Sequence, residues 1–281
     1  MNFRNTGVNL QMVPMSADEA WLQLGLNILN RGEVCNPRGT ATKELLGGRA
    51  VIDMQRPIVS NPWRRLGYLF MAREAWWILS GRNDVKSIKN YANISKFSDD
   101  GVYFFGAYGP RIVDQIPYII RALSTDQYTR QAVLTIWRES PMPSKDIPCS
   151  ITCQFIIRQD RIHVFLNMRS SDVWLGVPYD WFNFSMLGAY VLLLLKEKYP
   201  QLQLGNLHYY AASSHMYSWD EPKFLECREE VRPYTTLSID DYRDHDDLLV
   251  HLKLLSEKDA VDNTFAAEIV NWSKEDCNER T

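Results

Sequence analysis

Apolar residues recur at helical spacing in two segments near the start of the chain. The first, SADEAWLQLGLNILNRG (residues 16–32), predicts a helix with Ser16 as its N-cap and Gly32 at its end. The second, PWRRLGYLFMAREAWWILSG (residues 62–81), predicts a helix that ends at Gly81. Both segments are apolar on one face, so each helix is expected to cover one side of a core.

The middle of the chain changes to the spacing typical of strands and then to one long apolar helix. The predicted strands are RQAVLTIW (130–137), SITCQFIIRQ (150–159), RIHVFLNMR (161–169) and NLHYYAASSHMYS (206–218), and the predicted helix is FSMLGAYVLLLLKEKYP (184–200). A polar turn near Asp160 separates the second and third strands. The order of helices, sheet, central helix and sheet predicts an α+β fold, and residues 1–281 show no repeat or linker, which predicts one domain.

Composition and charge narrow the class of protein. The chain has 281 residues, 46% of them hydrophobic, and a net charge of −3, without a basic block suited to nucleic acid. The apolar helix is too short to span a bilayer, and the opening MNFRNTGVNLQMV carries no targeting signal. Five unevenly spaced cysteines suggest neither disulfides nor a metal site. We therefore expect a cytoplasmic protein without nucleic-acid or membrane partners.

Three features suggest chemistry, and each has a simpler structural explanation. Cys149 follows a proline at the start of a strand, where it is either a nucleophile or a small buried residue. Glu74 lies within an apolar helix face, where it is either functional or paired with Arg73 or another basic residue. His215 and Tyr217 alternate with Ser214 and Met216, so both should point to one face of their strand. The simpler explanation for Tyr217 is a core tyrosine whose hydroxyl has a partner.

The order of several motifs resembles thymidylate synthase and its pyrimidine hydroxymethylase relatives. The matching motifs are REAWWILSG with Glu74, GAYG with Tyr108, TRQAVLTIW with Arg130, IPCSITCQF with Cys149, MRSSDVWLGVPYD, and SSHMYS. The resemblance runs from about Arg38 to Ser218. It implies an α+β domain whose large mixed sheet packs against the same sheet of a second copy in a homodimer, with helices on the other face.

The resemblance also implies roles for individual residues. Cys149 would add to C6 of a pyrimidine nucleoside monophosphate, which makes C5 a nucleophile toward 5,10-methylenetetrahydrofolate. Glu74 would organise water and proton transfers, and Tyr108 is a further catalytic candidate. The 5′-phosphate would be held by Arg38, Arg169, Ser170 and, from the other subunit, Arg130, whose charges would also keep the thiol ionised. The sugar would contact His215 and Tyr217, and the folate would contact Asp172, Leu175, Gly176 and Ile94.

One departure from the family pattern concerns the base. Thymidylate synthases have an asparagine where this chain has Asp180, and that amide donates to O4 of uracil and accepts from N3–H. Cytosine instead presents a donor at N4–H and an acceptor at N3, and a carboxyl group can accept from that N4–H. Asp180 therefore favours a cytidylate substrate, with deoxycytidylate preferred. Asn183, three residues on, is the alternative candidate for that amide.

Other departures concern the reaction. Ser150 replaces a histidine after the nucleophile, Gln131 replaces a second arginine, and Met168 lies in an NMRS run that resembles deoxycytidylate hydroxymethylase. Ile94 or a neighbour replaces a tryptophan that stacks on folate, and the final KEDCNERT lacks an apolar tail. These differences predict hydroxymethylation, with Glu74 and Ser150 holding a water.

Several alternatives stay open. They are hydroxymethylation of the ribonucleotide CMP, methylation of deoxycytidylate, hydroxymethylation of deoxyuridylate, and a catalytically silent protein that binds a nucleotide or RNA. The sequence also leaves open whether the product serves DNA modification or a nucleoside antibiotic pathway.

Overall fold

Six strands form one mixed sheet in the computed structural model, which describes residues 12–139, 143–227, 230–233, 236–259 and 264–278. The strands are β1 (Glu33–Cys35), β2 (Thr42–Asp53), β3 (Val133–Thr135), β4 (Ser150–Arg158), β5 (Arg161–Asp172) and β6 (Gln203–Tyr217). They lie in the order β1-β2-β6-β5-β4-β3. In this sheet β5 and β6 are parallel and the other neighbours are antiparallel. Mixed pairing arises because a long helix connects β5 to β6.

Eight helices surround this sheet within the described residues. They are α1 (Ala17–Arg31), α2 (Tyr68–Leu79), α3 (Tyr108–Val113), α4 (Ile116–Thr125), α5 (Val177–Leu195), α6 (Glu221–Glu226), α7 (His245–Glu257) and α8 (Thr264–Asn278). The buried core extends from Ala17 in α1 to Trp272 in α8, so helices from both ends of the chain share it.

The central helix α5 is apolar on nearly all of its surface because neighbours surround it. It packs against β5 and β6 on one side and against α2, α4 and α7 on others. A helix that is hydrophobic all round is expected in such a buried position. Gly188 allows the close approach to the sheet, since a Cβ there would lie 2.9 Å from Met54 Sδ and 3.0 Å from Val164 Cγ2.

The first predicted helix is confirmed and the second is shorter than predicted. Ser16 caps α1 in a reciprocal capping box with Glu19, and Gly32 ends it. The second helix was expected from Pro62, but α2 begins at Tyr68 because Arg65 adopts a left-handed conformation with φ of 48°. The preceding Pro62–Arg64 segment is a single 3-10 turn.

The predicted strands are present, with different lengths. RQAVLTIW contributes three residues to β3 at the sheet edge, whereas β5 and β6 extend beyond the predicted segments. The twelve-residue β2 was not predicted, because Gly47 and Gly48 interrupt its pattern and Gly47 has a positive φ of 70°. The α+β class is confirmed, while the single-domain assignment stays a prediction.

The helices α1 and α5 cover one face of the sheet, and the opposite face is only partly covered. Half-buried side chains on that opposite face include Phe165 and His208, whose rings stack 4.2 Å apart, and the exposed Asn167 lies beside them. Burial lowers the pKa of His208 to about 4. Across the described residues, the helices are all too short or too polar to cross a membrane.

Candidate active site

Two connected cavities open on the helix-covered side of the sheet. The outer cleft has a volume of about 1730 Å³ and the inner cavity about 740 Å³. They share five lining residues: Glu74, Ile94, Phe97, Cys149 and Asp180. Four separate segments supply these residues: α2, residues 94–97 around a 3-10 turn, the residue just before β4, and α5. The junction between the cavities is therefore where reacting groups from distant parts of the chain meet.

Cys149 lies at this junction and is partly exposed to both cavities. This position favours the nucleophile over the small buried residue. The Arg169 guanidinium lies 3.8 Å from Cys149 Sγ and is fixed by hydrogen bonds to the carbonyls of Pro148 (2.8 Å) and Ile147 (3.1 Å). Burial raises the pKa of the thiol although Arg169 lowers it. Arg169 and Arg38 therefore act on the thiol in the predicted direction, toward ionisation, while burial opposes them.

Glu74 contacts an amide and not a cation. Asn183 Nδ2 donates to Glu74 Oε2 at 2.7 Å, while Arg73 pairs with Glu257 at 3.2 Å. The suggested ion pair between Glu74 and Arg73 is thus wrong, because each side chain has a different partner. Burial raises the pKa of Glu74 to about 7, opposed by the Asn183 hydrogen bond. A carboxyl group with that pKa can both take and give a proton near neutral pH.

Asp180 lies in the first turn of α5 and faces both cavities. Burial, with the nearby Glu74 carboxylate, raises its pKa well above the ordinary value, which favours the neutral form of the carboxyl group. A neutral carboxyl group offers one donor and one acceptor. Tyr108 lines the inner cavity, accepts a 3.3 Å hydrogen bond from Ser150 N, and has a pKa raised by burial.

Ser150 does not fulfil its predicted role of holding a water. Its side chain is fully buried, its hydroxyl has no hydrogen-bond partner among the described residues, and it lines neither cavity. The alternation of β4 explains this, because Cys149 immediately before the strand faces the cavities and the next side chain points the other way.

The residues predicted to bind phosphate and sugar line the outer cleft, with one exception. Arg38, Arg169, Ser170, His215 and Tyr217 all contribute to its wall. Neighbouring strands bring Ser170 Oγ to 3.5 Å from His215 Nδ1, and His215 and Tyr217 share a face as predicted. Arg38 is exposed in a left-handed turn with φ of 55°.

Arg130 is the exception, because it lines neither cavity of its own chain. Its side chain is exposed just before β3, and its carbonyl accepts from Gln154 Nε2 at 2.8 Å. Within one chain it therefore cannot complete the cleft, so its predicted role depends on a second subunit.

The residues predicted to bind folate line the mouth of the outer cleft. Asp172 Oδ1 accepts from the backbone of Trp174 and Leu175 at 2.8 and 2.9 Å, and Asp172 Oδ2 is buried with no partner in the described chain. A buried carboxylate oxygen without a donor fits the N–H groups of a pterin ring. Leu175, Gly176 and Ile94 contribute the adjacent wall.

Three cavity residues were not predicted for these roles. Phe97 is an aromatic side chain at the junction, three residues after Ile94. Asp146 lines the inner cavity, and its Oδ2 accepts from Gly106 N at 2.7 Å. Asn183 lines the same cavity one turn after Asp180 on α5. The sequence offered Asn183 only as the alternative to Asp180 for reading the base, and the loop before β4 gives no periodic signal for Asp146.

This arrangement is suited to addition chemistry on a flat polar ring. A thiol, two carboxyl groups with raised pKa values and an amide surround one junction, and cations line the wider cleft beside it. Guanidinium groups bind phosphate oxygens, so a nucleotide would place its phosphate outside and its ring at the thiol. Among the described residues, His, Cys, Asp and Glu form no group that could hold a metal ion.

Comparison with known proteins agrees with this chemistry. The family model described as thymidylate synthase matches residues 19–254. A deoxyuridylate hydroxymethyltransferase of Bacillus phage SP01 is 26% identical over 224 residues, covering 71% of this chain and 56% of that protein.

Two further relatives carry the same and a related name. A deoxyuridylate hydroxymethyltransferase of Pseudomonas phage M6 is 35% identical over 133 residues, covering 43% of this chain and 38% of that protein. A thymidylate synthase of Francisella tularensis subsp. holarctica is 24% identical over 219 residues, covering 68% of this chain and 77% of that protein. The chain thus spans about half or less of the length of the two phage hydroxymethyltransferases that it matches.

Proposed function

This chain belongs to the thymidylate synthase family, and from that premise we propose that it transfers a one-carbon unit to C5 of cytidylate, most readily deoxycytidylate, and leaves it there as a hydroxymethyl group. The observation that carries the proposal is Asp180 at the junction of the cavities, beside Cys149 and Glu74. The family resemblance read from the motifs is confirmed by the family model, whereas the cytidylate specificity is our own inference.

The state of Asp180 supports a cytosine ring at the junction. A neutral carboxyl group accepts from N4–H with its carbonyl oxygen and donates its O–H to N3. Asp180 has the raised pKa that this pairing requires. Asn183 is less suited to reading the base, because its amide nitrogen is already engaged with Glu74 at 2.7 Å.

Deoxyuridylate is the second candidate substrate, because two relatives are named as deoxyuridylate hydroxymethyltransferases. A neutral Asp180 could donate to O4 of uracil and accept from N3–H. The test measures turnover of CMP, dCMP, UMP and dUMP as folate-dependent release of tritium from C5. The four rates distinguish cytidylate from uridylate and ribose from deoxyribose. Our proposal requires a cytidylate to be the preferred substrate.

The cleft residues supply the binding and proton transfers of this reaction. Arg38, Arg169 and Ser170 would hold the 5′-phosphate, and His215 with Tyr217 would bind the sugar. Asp172, Leu175, Gly176 and Ile94 would hold methylenetetrahydrofolate, which supplies the one-carbon unit. Cys149 Sγ would bond to C6, and Glu74 would take and return protons at the one-carbon centre. Burial makes the Cys149 thiol harder to ionise, so a base must take its proton as the sulfur adds to C6. The raised pKa of Glu74 makes its carboxylate a better base for such transfers.

The product is expected to be 5-hydroxymethylcytidylate together with tetrahydrofolate. Ile94 or a neighbour would stand where a stacking tryptophan is found in thymidylate synthases, and the inner cavity beside Cys149 offers room for water. Hydride transfer would instead need a dry site with folate held over the ring. Mass analysis of the nucleotide and the absorbance of the folate measure both products.

A methylated nucleotide formed together with dihydrofolate would contradict this expectation. The control reaction omits methylenetetrahydrofolate and should leave the nucleotide mass unchanged. Of the final KEDCNERT, residues 279–281 lie outside the described residues.

We further propose that two copies of the chain pair through the half-covered sheet face. Phe165, Asn167 and His208 are partly or fully exposed on that face, although they lie in the middle of the sheet. Arg130 lies outside its own cleft, which supports a role in the phosphate site of the other subunit. Gln131, in place of a second arginine, leaves Arg130 as the principal charge of this pair.

Mixing two inactive or weakened variants tests this pairing. Arg130→Ala should raise the KM for the nucleotide about tenfold or more, the usual value of a hydrogen bond to a charged group. Cys149→Ala should have no activity. A heterodimer of the two would contain one site with both an intact Cys149 and the partner subunit's Arg130, so mixing should restore a normal KM.

The matched control is Arg121→Ala, which removes an exposed arginine on α4 and should leave KM unchanged. Light scattering on the unmodified protein reports the oligomeric state independently. A monomer, or mixed variants that show no recovery after subunit exchange, would exclude the shared site.

A further inference from the structure

Asn183 carries a buried acceptor that the chain does not use. The residue is 4% exposed and lines the inner cavity. Its Nδ2 donates to Glu74 Oε2 at 2.7 Å, while its Oδ1 has no hydrogen-bond partner in the described part of the chain. Leaving such a buried oxygen unpaired is unfavourable. It therefore marks a position where a donor from outside the chain belongs.

The surroundings of this oxygen identify the donor as water. Most of the inner wall is apolar, with Trp77, Ile78, Ile88 and Phe104 among its residues. Its polar atoms come from Glu74, Asn183, Asp146, Tyr108 and Asp180, with Cys149 at the opening. A buried water needs two to four polar partners, and the Glu74 and Asn183 oxygens supply two within one hydrogen-bonded pair.

We propose that Asn183 is a positioning residue that holds, together with Glu74, the water that becomes the hydroxyl group of the product. This inference rests on the proposed function, because it assigns the water to the one-carbon unit on C5. Asn183 would accept one hydrogen bond from the water and keep Glu74 oriented to accept the other. Ser150, which the sequence suggested for this task, is turned away from both cavities.

The step conserves atoms and electrons. When tetrahydrofolate has left, the ring carries an exocyclic methylene at C5 and Cys149 at C6. The water oxygen bonds to the methylene carbon, one water proton passes to Glu74, and the electron pair of the methylene double bond moves into the ring. That pair then restores the C5–C6 double bond as Cys149 leaves as a thiolate.

Asn183→Leu tests the proposal, because leucine has a similar size and neither donates nor accepts. The rate of hydroxymethyl formation should fall about tenfold or more, the effect of losing a hydrogen bond to a charged group. The dissociation constant of the nucleotide, measured by calorimetry without folate, should stay unchanged. Labelling of Cys149 by a 5-fluorocytidine nucleotide with folate should also stay unchanged, since fluorine at C5 stops the reaction before water adds.

The pH profile supplies a signature that a purely structural role would not give. Glu74 accepts the water proton only when ionised, so the rate should rise as the pH rises through its pKa of about 7. The Asn183 hydrogen bond stabilises the ionised form. Asn183→Leu should therefore move this acidic limb to higher pH, with Asp180, Asp146, Tyr108 and Cys149 unchanged around it.

Two companion variants complete the experiment. Asn183→Ser keeps a small donor and acceptor and should recover part of the rate and of the pH profile, and it serves as the test if the leucine variant does not fold. Ser185→Ala removes a buried hydroxyl from the same helix outside both cavities and should change nothing.

The outcomes separate this inference from the proposed function. An unchanged hydroxymethyl rate in Asn183→Leu, or equal losses in nucleotide binding, Cys149 labelling and product formation, would overturn the role of Asn183. A methylated or absent product with the unmodified protein would instead overturn the proposed function.

Discussion

Replacing Cys149 by alanine is expected to abolish turnover while leaving nucleotide binding largely intact. The sulfur is the atom that would bond to C6, and without it C5 is not a nucleophile. Removing a covalent nucleophile lowers the rate by about 10⁴-fold or more in enzymes that depend on one. Binding should survive because Arg38, Ser170 and His215 supply separate contacts along the outer cleft. Tritium release from C5 measures the first quantity and calorimetry the second.

The same variant separates an enzyme from a silent nucleotide-binding or RNA-binding protein. A 5-fluoropyrimidine nucleotide with folate should form a covalent adduct with the unmodified chain and none with Cys149→Ala. Cys153→Ala is the matched control, since that thiol is fully buried in β4 and faces no cavity. Turnover that persists in Cys149→Ala would show that the family mechanism does not apply here. An unmodified chain that binds nucleotide but never forms the adduct would favour the silent protein.

The fold could be predicted where one physical signal dominates a segment. Ser16 with Glu19 defines the start of α1, and the uninterrupted apolar residues of α5 define a buried helix. β2 escaped prediction because Gly47 and Gly48 divide it, and because its stability comes from eleven residue pairs with β6 that lie far away in sequence. The start of α2 was misplaced because the sequence does not show that Arg65 adopts a left-handed backbone conformation.

The candidate site, like the fold, could be predicted from the sequence only in part. Residues carried by the family motifs, such as Cys149, Asp172 and His215, come together around one cleft. The inner cavity could not be predicted from those motifs, because Asp146 comes from a loop and because the contact of Asn183 with Glu74 and its unpaired oxygen appear only in the structure. The net effect of burial on the Cys149 pKa also depends on packing that the sequence does not display.

Asp180→Asn is expected to shift substrate preference from cytidylate toward uridylate. The asparagine amide would donate to O4 of uracil and accept from N3–H, whereas cytosine needs an acceptor opposite N4–H. Leaving a buried polar edge unsatisfied costs about 1–3 kcal/mol, which corresponds to about a 5- to 150-fold change in the ratio of kcat/KM values. Competing the two nucleotides in one reaction measures that ratio directly.

The proton of Asp180, as well as its hydrogen bonds to the base, contributes to this preference. As Cys149 adds to C6, negative charge moves toward N3 of cytosine, and a neutral Asp180 can give its proton there. Burial and the Glu74 carboxylate keep Asp180 neutral and therefore able to do so. An amide lacks a transferable proton, so kcat on cytidylate should fall more than KM rises. With uracil the charge collects on O4, which an amide N–H stabilises adequately.

Asn183→Asp serves as the comparison: if Asp180 reads the base, this second change should impair turnover of both nucleotides without exchanging their order. A chain that prefers uridylate before any substitution, or that is indifferent to Asp180→Asn, would assign the base to another residue.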